Sequence, residues 1–318
     1  MIDNDAARND IETGAIGSDS DDDEEGDGRV LSNAAFRTGM LDEKAAAIHT
    51  LAQFAQQCGA AFVPFLERSL QSLESLIDFP HHFIRQAVVT AYDELFGLAE
   101  RVFPMPQKWQ QGVSTPLPTQ SATLVSFIYP QLIWIMQEDD DKETAAQATD
   151  VLARALERFG MGSLELRRNT DADSKPFIQD LAPALRMVLE EKTVCQQTVD
   201  EEGDEETMTA HDHYLLEAAT DMIESLSKVC GARMLPIFRE YMKPLLRFIK
   251  PTRQPLDRAS AVGCLAVIVE NLKGDAAEFA PAIATAAMKC LAEQNGTEPQ
   301  IHQNSGTACV TSLQLFHS

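Results

Sequence analysis

The chain writes nearly the same text twice. Residues Cys58 to Leu70 read CGAAFVPFLERSL, and residues Cys230 to Met242 read CGARMLPIFREYM. Neither copy contains a catalytic constellation. A recurring text constrains the fold more than composition does. It marks a unit that cannot bury its apolar face alone and must stack on its neighbours. Upstream of the first copy, LDEKAAAIHTLAQFAQQCG places Ile48, Leu51, Ala52, Ala55 and Cys58 on one helical stripe. Gly59 ends that helix, because glycine accepts the positive φ of a helix stop. Phe62 to Ile77 reads as a second helix, with Leu66, Leu70, Leu73, Leu76 and Ile77 apolar and Pro64 in its first turn.

This helix–glycine–helix pair recurs. FVPFL carries Pro64, IYPQL Pro130, LAPAL Pro183, MLPIF Pro236 and FAPAI Pro281, and each proline is expected to open an amphipathic second helix. Successive prolines stand 66, 53, 53 and 45 residues apart. The shortest gap fits a HEAT or armadillo unit of about 40–47 residues. The longer gaps hold a proline-rich insert near 104–119, a second near 161–175 and an acidic one near 198–209. These are expected to face solvent while the stacked helices keep phase. The first helices are expected at His81–Arg101, Lys142–Phe159, His211–Cys230 and Leu256–Leu272. Their stripes are Ala145, Ala148, Leu152, Ala155 and Phe159; Leu215, Ala219, Met222, Ile223, Leu226 and Cys230; and Ala259, Val262, Leu265, Ala266 and Val269. The predicted fold is all-α, a HEAT-repeat α–α superhelix of about five to six helix pairs over residues 31–318. An acidic segment at 1–30, including GSDSDDDEEGDG, is expected to be disordered because its like charges repel and it lacks apolar area. Ser18 and Ser20 precede acidic residues, so that tail is either a substrate for an acid-directed kinase or a plain solubilising segment. The last stretch, PQIHQNSGTACVTSLQLFHS, reads as the start of another first helix, which points to a fragment of a longer chain.

Hydrophobic residues make up 44 % of the 318, and the formal net charge is −23. That charge excludes a bare duplex-binding surface, since phosphates need positive partners. It favours basic protein partners. The six cysteines form no CxxC pattern and read as buried thiols of a reducing compartment. No secretory leader or membrane span is expected, which places the chain in the cytoplasm or nucleus.

Enzymatic chemistry is not expected. His81-His82 and His211-Asp212-His213 have no further ligand at metal-site spacing, and a helix-start role for Thr209 or Asp212 is favoured. The cluster Asp200, Glu201, Glu202, Asp204, Glu205 and Glu206 is too dense for acid–base catalysis, which needs one tuned group in a cleft. It reads as a loop for basic ligands or as a solvated loop. No phosphate-binding or nucleophile-elbow motif occurs, so no cofactor is expected. Trp109 is either a partner contact or folded back on the helical spine, and Trp134 is expected in the core. Arg85 is placed to bridge to the preceding turn.

The span Thr38 to Phe96, with Asp42-Glu43-Lys44, Phe62 and Pro64 to Glu67, and Pro80-His81 followed by Arg85 and Ala87, resembles the central region of importin-β (karyopherin-β) nuclear import receptors. Arg85 matches the arginine usual near the start of a HEAT helix. The resemblance implies a superhelix that carries basic cargo such as histones through the nuclear pore. It also implies binding of phenylalanine–glycine nucleoporins and shuttling between cytoplasm and nucleus. Release by Ran GTPase would involve the full-length receptor, through repeats nearer the N-terminus than this segment. The acidic residues Asp200 to Glu206 would then approach cargo. No membrane or direct nucleic-acid partner is implied. The alternative is a HEAT scaffold or adaptor of a phosphatase or chromatin-associated complex, which would not bind phenylalanine–glycine repeats.

Overall fold

The computed structural model describes residues 26–168, 174–197, 205–292 and 299–314. They are helical apart from their connections, and the one extended pairing among them is an antiparallel bridge between Arg167 and Pro176. The helices are stacked pairs, as a HEAT-repeat α-solenoid requires. The chain divides into two compact units, Met1–Leu98 and Ala99–Ser318.

The first unit contains α1 (Gly26–Cys58), α2 (Leu66–Glu74) and most of α3 (His82–Val102). The helical backbone from Gly26 overlaps the end of the acidic segment, of which residues 1–25 lie outside the described residues. Gly59 takes φ +53° and stops α1. The expected single helix from Phe62 to Ile77 is not continuous. Gly59–Phe65 is a 3-10 turn holding Pro64, and α2 begins only at Leu66. The reason lies in Gly59: the chain leaves it already turning, and the tighter 3-10 winding brings Phe62 inward before the α-helix starts. Ile48, Ala52, Ala55, Leu70, Leu73 and Leu76 are buried, whereas Cys58 is exposed.

In the second unit one layer consists of α5 (Lys142–Phe159), α9 (Glu205–Cys230), α11 (Pro255–Leu272) and α13 (Pro299–Gln314), packed in that order. Against it lie α4 (Thr119–Glu138), α7 (Ile178–Leu189), α10 (Leu235–Phe248) and α12 (Ala280–Ala292). Two short helices, α6 (Met161–Glu165) and α8 (Val194–Gln197), sit in the connections. Every stripe residue expected on α5, α9 and α11 is buried. The Asp141 carboxylate accepts the Thr144 N–H at 2.8 Å and opens α5, a cap that contributes about 1 kcal/mol.

The second copy of the repeated text folds as the first does. Gly231 takes φ +52° and leads into a 3-10 turn, Gly231–Met234, before α10. A third 3-10 turn, Lys273–Ala276, begins the same way with Lys273 at φ +50°. Pro236 and Pro281 stand at second helical positions, as expected. Pro130 and Pro183 do not open their helices. Pro130 is deep inside α4 and Pro183 is the sixth residue of α7. An interior proline forfeits one rung and costs about 3 kcal/mol. Here burial of Leu124, Val125, Ile128, Leu132 and Ile133 on α4 carries the helix through it. Trp134 faces outward and is 41 % exposed rather than in the core, because α4 buries the neighbouring Leu132, Ile133 and Ile135.

Candidate binding groove

The polar positions of α5 and α9 lie opposite their buried stripes and repeat at the same spacing. On α5 they are Asp150, Arg154 and Glu157; on α9 they are Glu217, Asp221, Glu224 and Lys228. Residues four and three apart share a helix face, so the close packing of the two helices sets two acidic rows side by side. Asp150, Arg154, Glu157, Asp221, Glu224 and Lys228, with Val267 and Asn271 of α11, line a groove of about 560 Å³. Its ionic groups are unevenly matched. Glu157 accepts from Lys228 Nζ at 2.7 Å and from Ser225 Oγ at 3.0 Å. Burial pushes Asp150 up to about 6, opposed by the charge of Arg154 and reinforced by Asp221 and Glu217. Burial, and then the charge of Asp221, pushes Glu224 up to about 7. A cation entering beside Asp221 and Glu224 relieves that repulsion, so the groove is chemically suited to a lysine or arginine side chain.

Beside the groove, residues 103–118 lie against the C-terminal ends of its three helices. This insert does not simply face solvent. Its Trp109 indole N–H donates to the Glu157 carbonyl at 2.6 Å at the end of α5. Gln111 Nε2 donates to the carbonyls of Ser227, near the end of α9, and Asn271, near the end of α11, each at 3.2 Å. The Gly112 N–H donates to the Val229 carbonyl at 2.8 Å. Helix C-termini leave carbonyls without intrahelical partners, and these donors satisfy three helices at once. The glycines opposite are required by the contact. A Cβ on Gly160 would lie 2.6 Å from Trp109 Cβ, and one on Gly162 would lie 2.0 Å from the Thr115 carbonyl oxygen.

The residues singled out in the sequence fall in different places. Trp109 is half-buried and folded against the spine, with its N–H committed to Glu157. Of the acidic cluster, Asp200, Glu201, Glu202 and Asp204 lie outside the described residues. Glu205 and Glu206 open α9 in their backbone. Because α9 begins at Glu205, Thr209 and Asp212 lie inside the helix rather than at its start, and His213 with them. Its ring nitrogens lie 3.3 Å from Asp257 Oδ1 and 3.5 Å from Glu217 Oε2. Among the described residues, no three His, Cys, Asp or Glu groups are gathered to hold a metal ion, and no helix is long and apolar enough to cross a membrane. Arg85 does bridge to the preceding turn, through the carbonyls of Phe79 at 2.9 Å and Pro80 at 3.2 Å. Sequence reading passed over Asp150, Asp221 and Glu224. Their signal was the outward acidic spacing itself, visible in LLEAATDMIES but ordinary on any solvated helix.

No protein-family model matches the chain. The chain is similar to Importin-4 of Mus musculus, 23 % identical over 257 residues, covering 80 % of this chain and 23 % of that protein. It is 22 % identical to Importin-4 of Homo sapiens over 279 residues, covering 86 % of this chain and 24 % of that protein. The chain thus spans about a quarter of the length of the curated relatives it matches. Among solved structures it is similar to the karyopherin Kap121p, at 15 % identity. The TM-score is 0.65 with Kap121p bound to the extreme C-terminus of the phosphatase Cdc14p, 0.64 with Kap121p bound to Nup53p and 0.62 with Kap121p bound to RanGTP. These alignments cover 87 %, 89 % and 89 % of this chain and 24 % of each Kap121p chain. The fold is therefore that of a karyopherin-like helical solenoid, with homology to Importin-4 at low identity.

Proposed function

We propose that this chain is a segment of an importin-β-type nuclear transport receptor and that it works by binding. Its ligands are basic segments of nuclear cargo proteins, held by the groove between α5, α9 and α11. The observation that carries the reading is the two acidic rows whose Glu224 and Asp150 are buried enough to resist ionisation. Such groups gain most from an incoming cation. The low-identity likeness to Importin-4 and the Kap121p complexes supports the transport role. By the same likeness the full-length receptor exchanges cargo with Ran GTPase, engages phenylalanine–glycine nucleoporins and shuttles between cytoplasm and nucleus. The acidic residues Asp200 to Glu206 add a second attraction for basic cargo, and the exposed edge of Trp109 is available to a partner.

The test is fluorescence anisotropy with a labelled lysine-rich peptide and its norleucine counterpart. The lysine peptide is expected to bind, more weakly at 200 mM than at 50 mM salt as charge is screened. The pair Asp221→Lys and Glu224→Lys is expected to weaken it at least tenfold. A reversal of Asp200 to Glu206 is expected to cost less. Equal binding of the two peptides, or indifference to the groove reversal, overturns the reading.

A further inference from the structure

We infer that residues 103–118 form a strap that sets the width of the carboxylate groove, and that Gln111 is its positioning residue. The inference rests on the reading of the groove given under Proposed function.

The groove is walled by three separate helices from about mid-length to their C-terminal ends, so its width depends on how those ends are held in register. The strap supplies that register at three points. Trp109 fixes α5 through the Glu157 carbonyl, and the side chain of that same Glu157 faces the groove, bonded to Ser225 and Lys228. The Gly112 N–H fixes α9 through Val229. Gln111 alone spans two walls, since one amide nitrogen donates to α9 and to α11 together. The carbonyl it reaches on α11 belongs to Asn271, a groove residue whose own amide donates to Ser227 Oγ at 2.8 Å. One side chain and one groove residue therefore cross-link the same two helices at the same level. The sequence has made room for it. Gly231, at φ +52°, leaves bare backbone where a Cβ would lie 2.9 Å from Gln111 Cγ. Ser121 Oγ donates to the Phe103 carbonyl at 3.3 Å at one end of the strap. Ser114 bonds Glu165 at the other, and Glu165 is bridged to Arg233 at 3.3 Å.

The consequence is specific. Loss of the Gln111 donor, with its volume kept, leaves the Asn271–Ser227 bond as the one remaining tie between α9 and α11 at this level among the described residues, so the groove loosens beside Glu224. Binding of a cation should weaken, and the lysine-to-arginine preference should change, without loss of the fold. Two variants separate this from general effects. Gln111→Met keeps the shape and is neutral. Gln111→Glu keeps the shape but cannot donate to carbonyls, and its added negative charge would by itself tighten a basic peptide. Both are expected to weaken the lysine-rich peptide about fivefold, at a temperature where circular dichroism shows wild-type helix content. Both are also expected to alter the ratio of lysine- to arginine-peptide affinities. Wild-type affinity and ratio in both variants, or tighter binding by Gln111→Glu with Gln111→Met unchanged, overturns the strap's role.

A readout without peptide keeps the two proposals apart. The Glu224 carboxyl can be titrated by carbon-13 NMR in the full chain, assigned by its loss in Glu224→Gln. Its midpoint is expected to fall toward the ordinary carboxylate range in Gln111→Met. An unmoved midpoint overturns the strap's role even if the peptide binds. A moved midpoint with no peptide binding in the wild type sustains the strap and overturns the cargo reading.

Discussion

At the residue scale, three helix stops show what one side chain decides. Gly59, Gly231 and Lys273 all take φ near +50° before a 3-10 turn. Two use glycine, for which this region is free of strain; Lys273 does not, although Gly274 follows it. Lys273 combines φ +50° with ψ −129°, a region that costs a residue with a β-carbon on the order of 1–3 kcal/mol. Lys273 is exposed and surrenders no packing. Lys273→Gly is therefore expected to stabilise the chain by roughly 0.5–1 kcal/mol, once the larger unfolded-state entropy of glycine is offset, as read from the urea midpoint. Glu224 gives a prediction of opposite character. Its folded pKa is raised from 4.5 to about 7, so the folded chain holds this proton more tightly than the unfolded chain. The resulting stability is fully present below pH 4.5 and is lost as pH rises to about 7. Glu224→Gln should remove that decline and be the more stable form at pH 8, by on the order of 2 kcal/mol after screening at the groove mouth. A variant as pH-dependent as the wild type across this window would contradict the burial of that carboxylate.

At the element scale, the helices are joined by arginines that serve backbone. Arg85 and Arg258 are each the fourth residue of a first helix, and each is buried. Each donates to carbonyls just past the preceding second helix: Arg85 to Phe79 and Pro80, Arg258 to Ile249 at 3.1 Å. A charged donor on a buried carbonyl contributes about 1.5–3 kcal/mol. Arg258→Met keeps most of the apolar stem but leaves the Ile249 carbonyl unserved. It should lower unfolding stability by about 2 kcal/mol, and Arg258→Lys should recover part of that. Equal urea midpoints for wild type and Arg258→Met would show that the carbonyl has another donor. Helix identity was largely legible in the sequence, because α5, α9 and α11 bury the stripes that 3.6-residue spacing marks. Two starts were not. Pro130 and Pro183 resemble N-terminal prolines locally, and only the buried residues upstream of them show that α4 and α7 have already begun.

At the scale of the whole molecule, the sequence determined that this chain is a stack of helix pairs. The stripes repeat, the stops repeat, and no single pair buries enough apolar surface to stand alone. Its acidity also indicated basic partners. The site was less legible. The conspicuous run Asp200 to Glu206 drew attention through its density, whereas Asp150, Glu157, Asp221 and Glu224 are spaced like any solvated helix face. They become a groove because α5 and α9 pack side by side, a contact between residues some seventy positions apart. The proline-rich insert is a second case: its composition reads as a solvent loop, yet its donors close three helix ends. The physical reason is common to both. Helical periodicity is a short-range property that hydrophobic burial writes into consecutive residues. The partner of a carbonyl and the neighbour of a carboxylate are chosen across the stack, where only tertiary packing brings distant residues together.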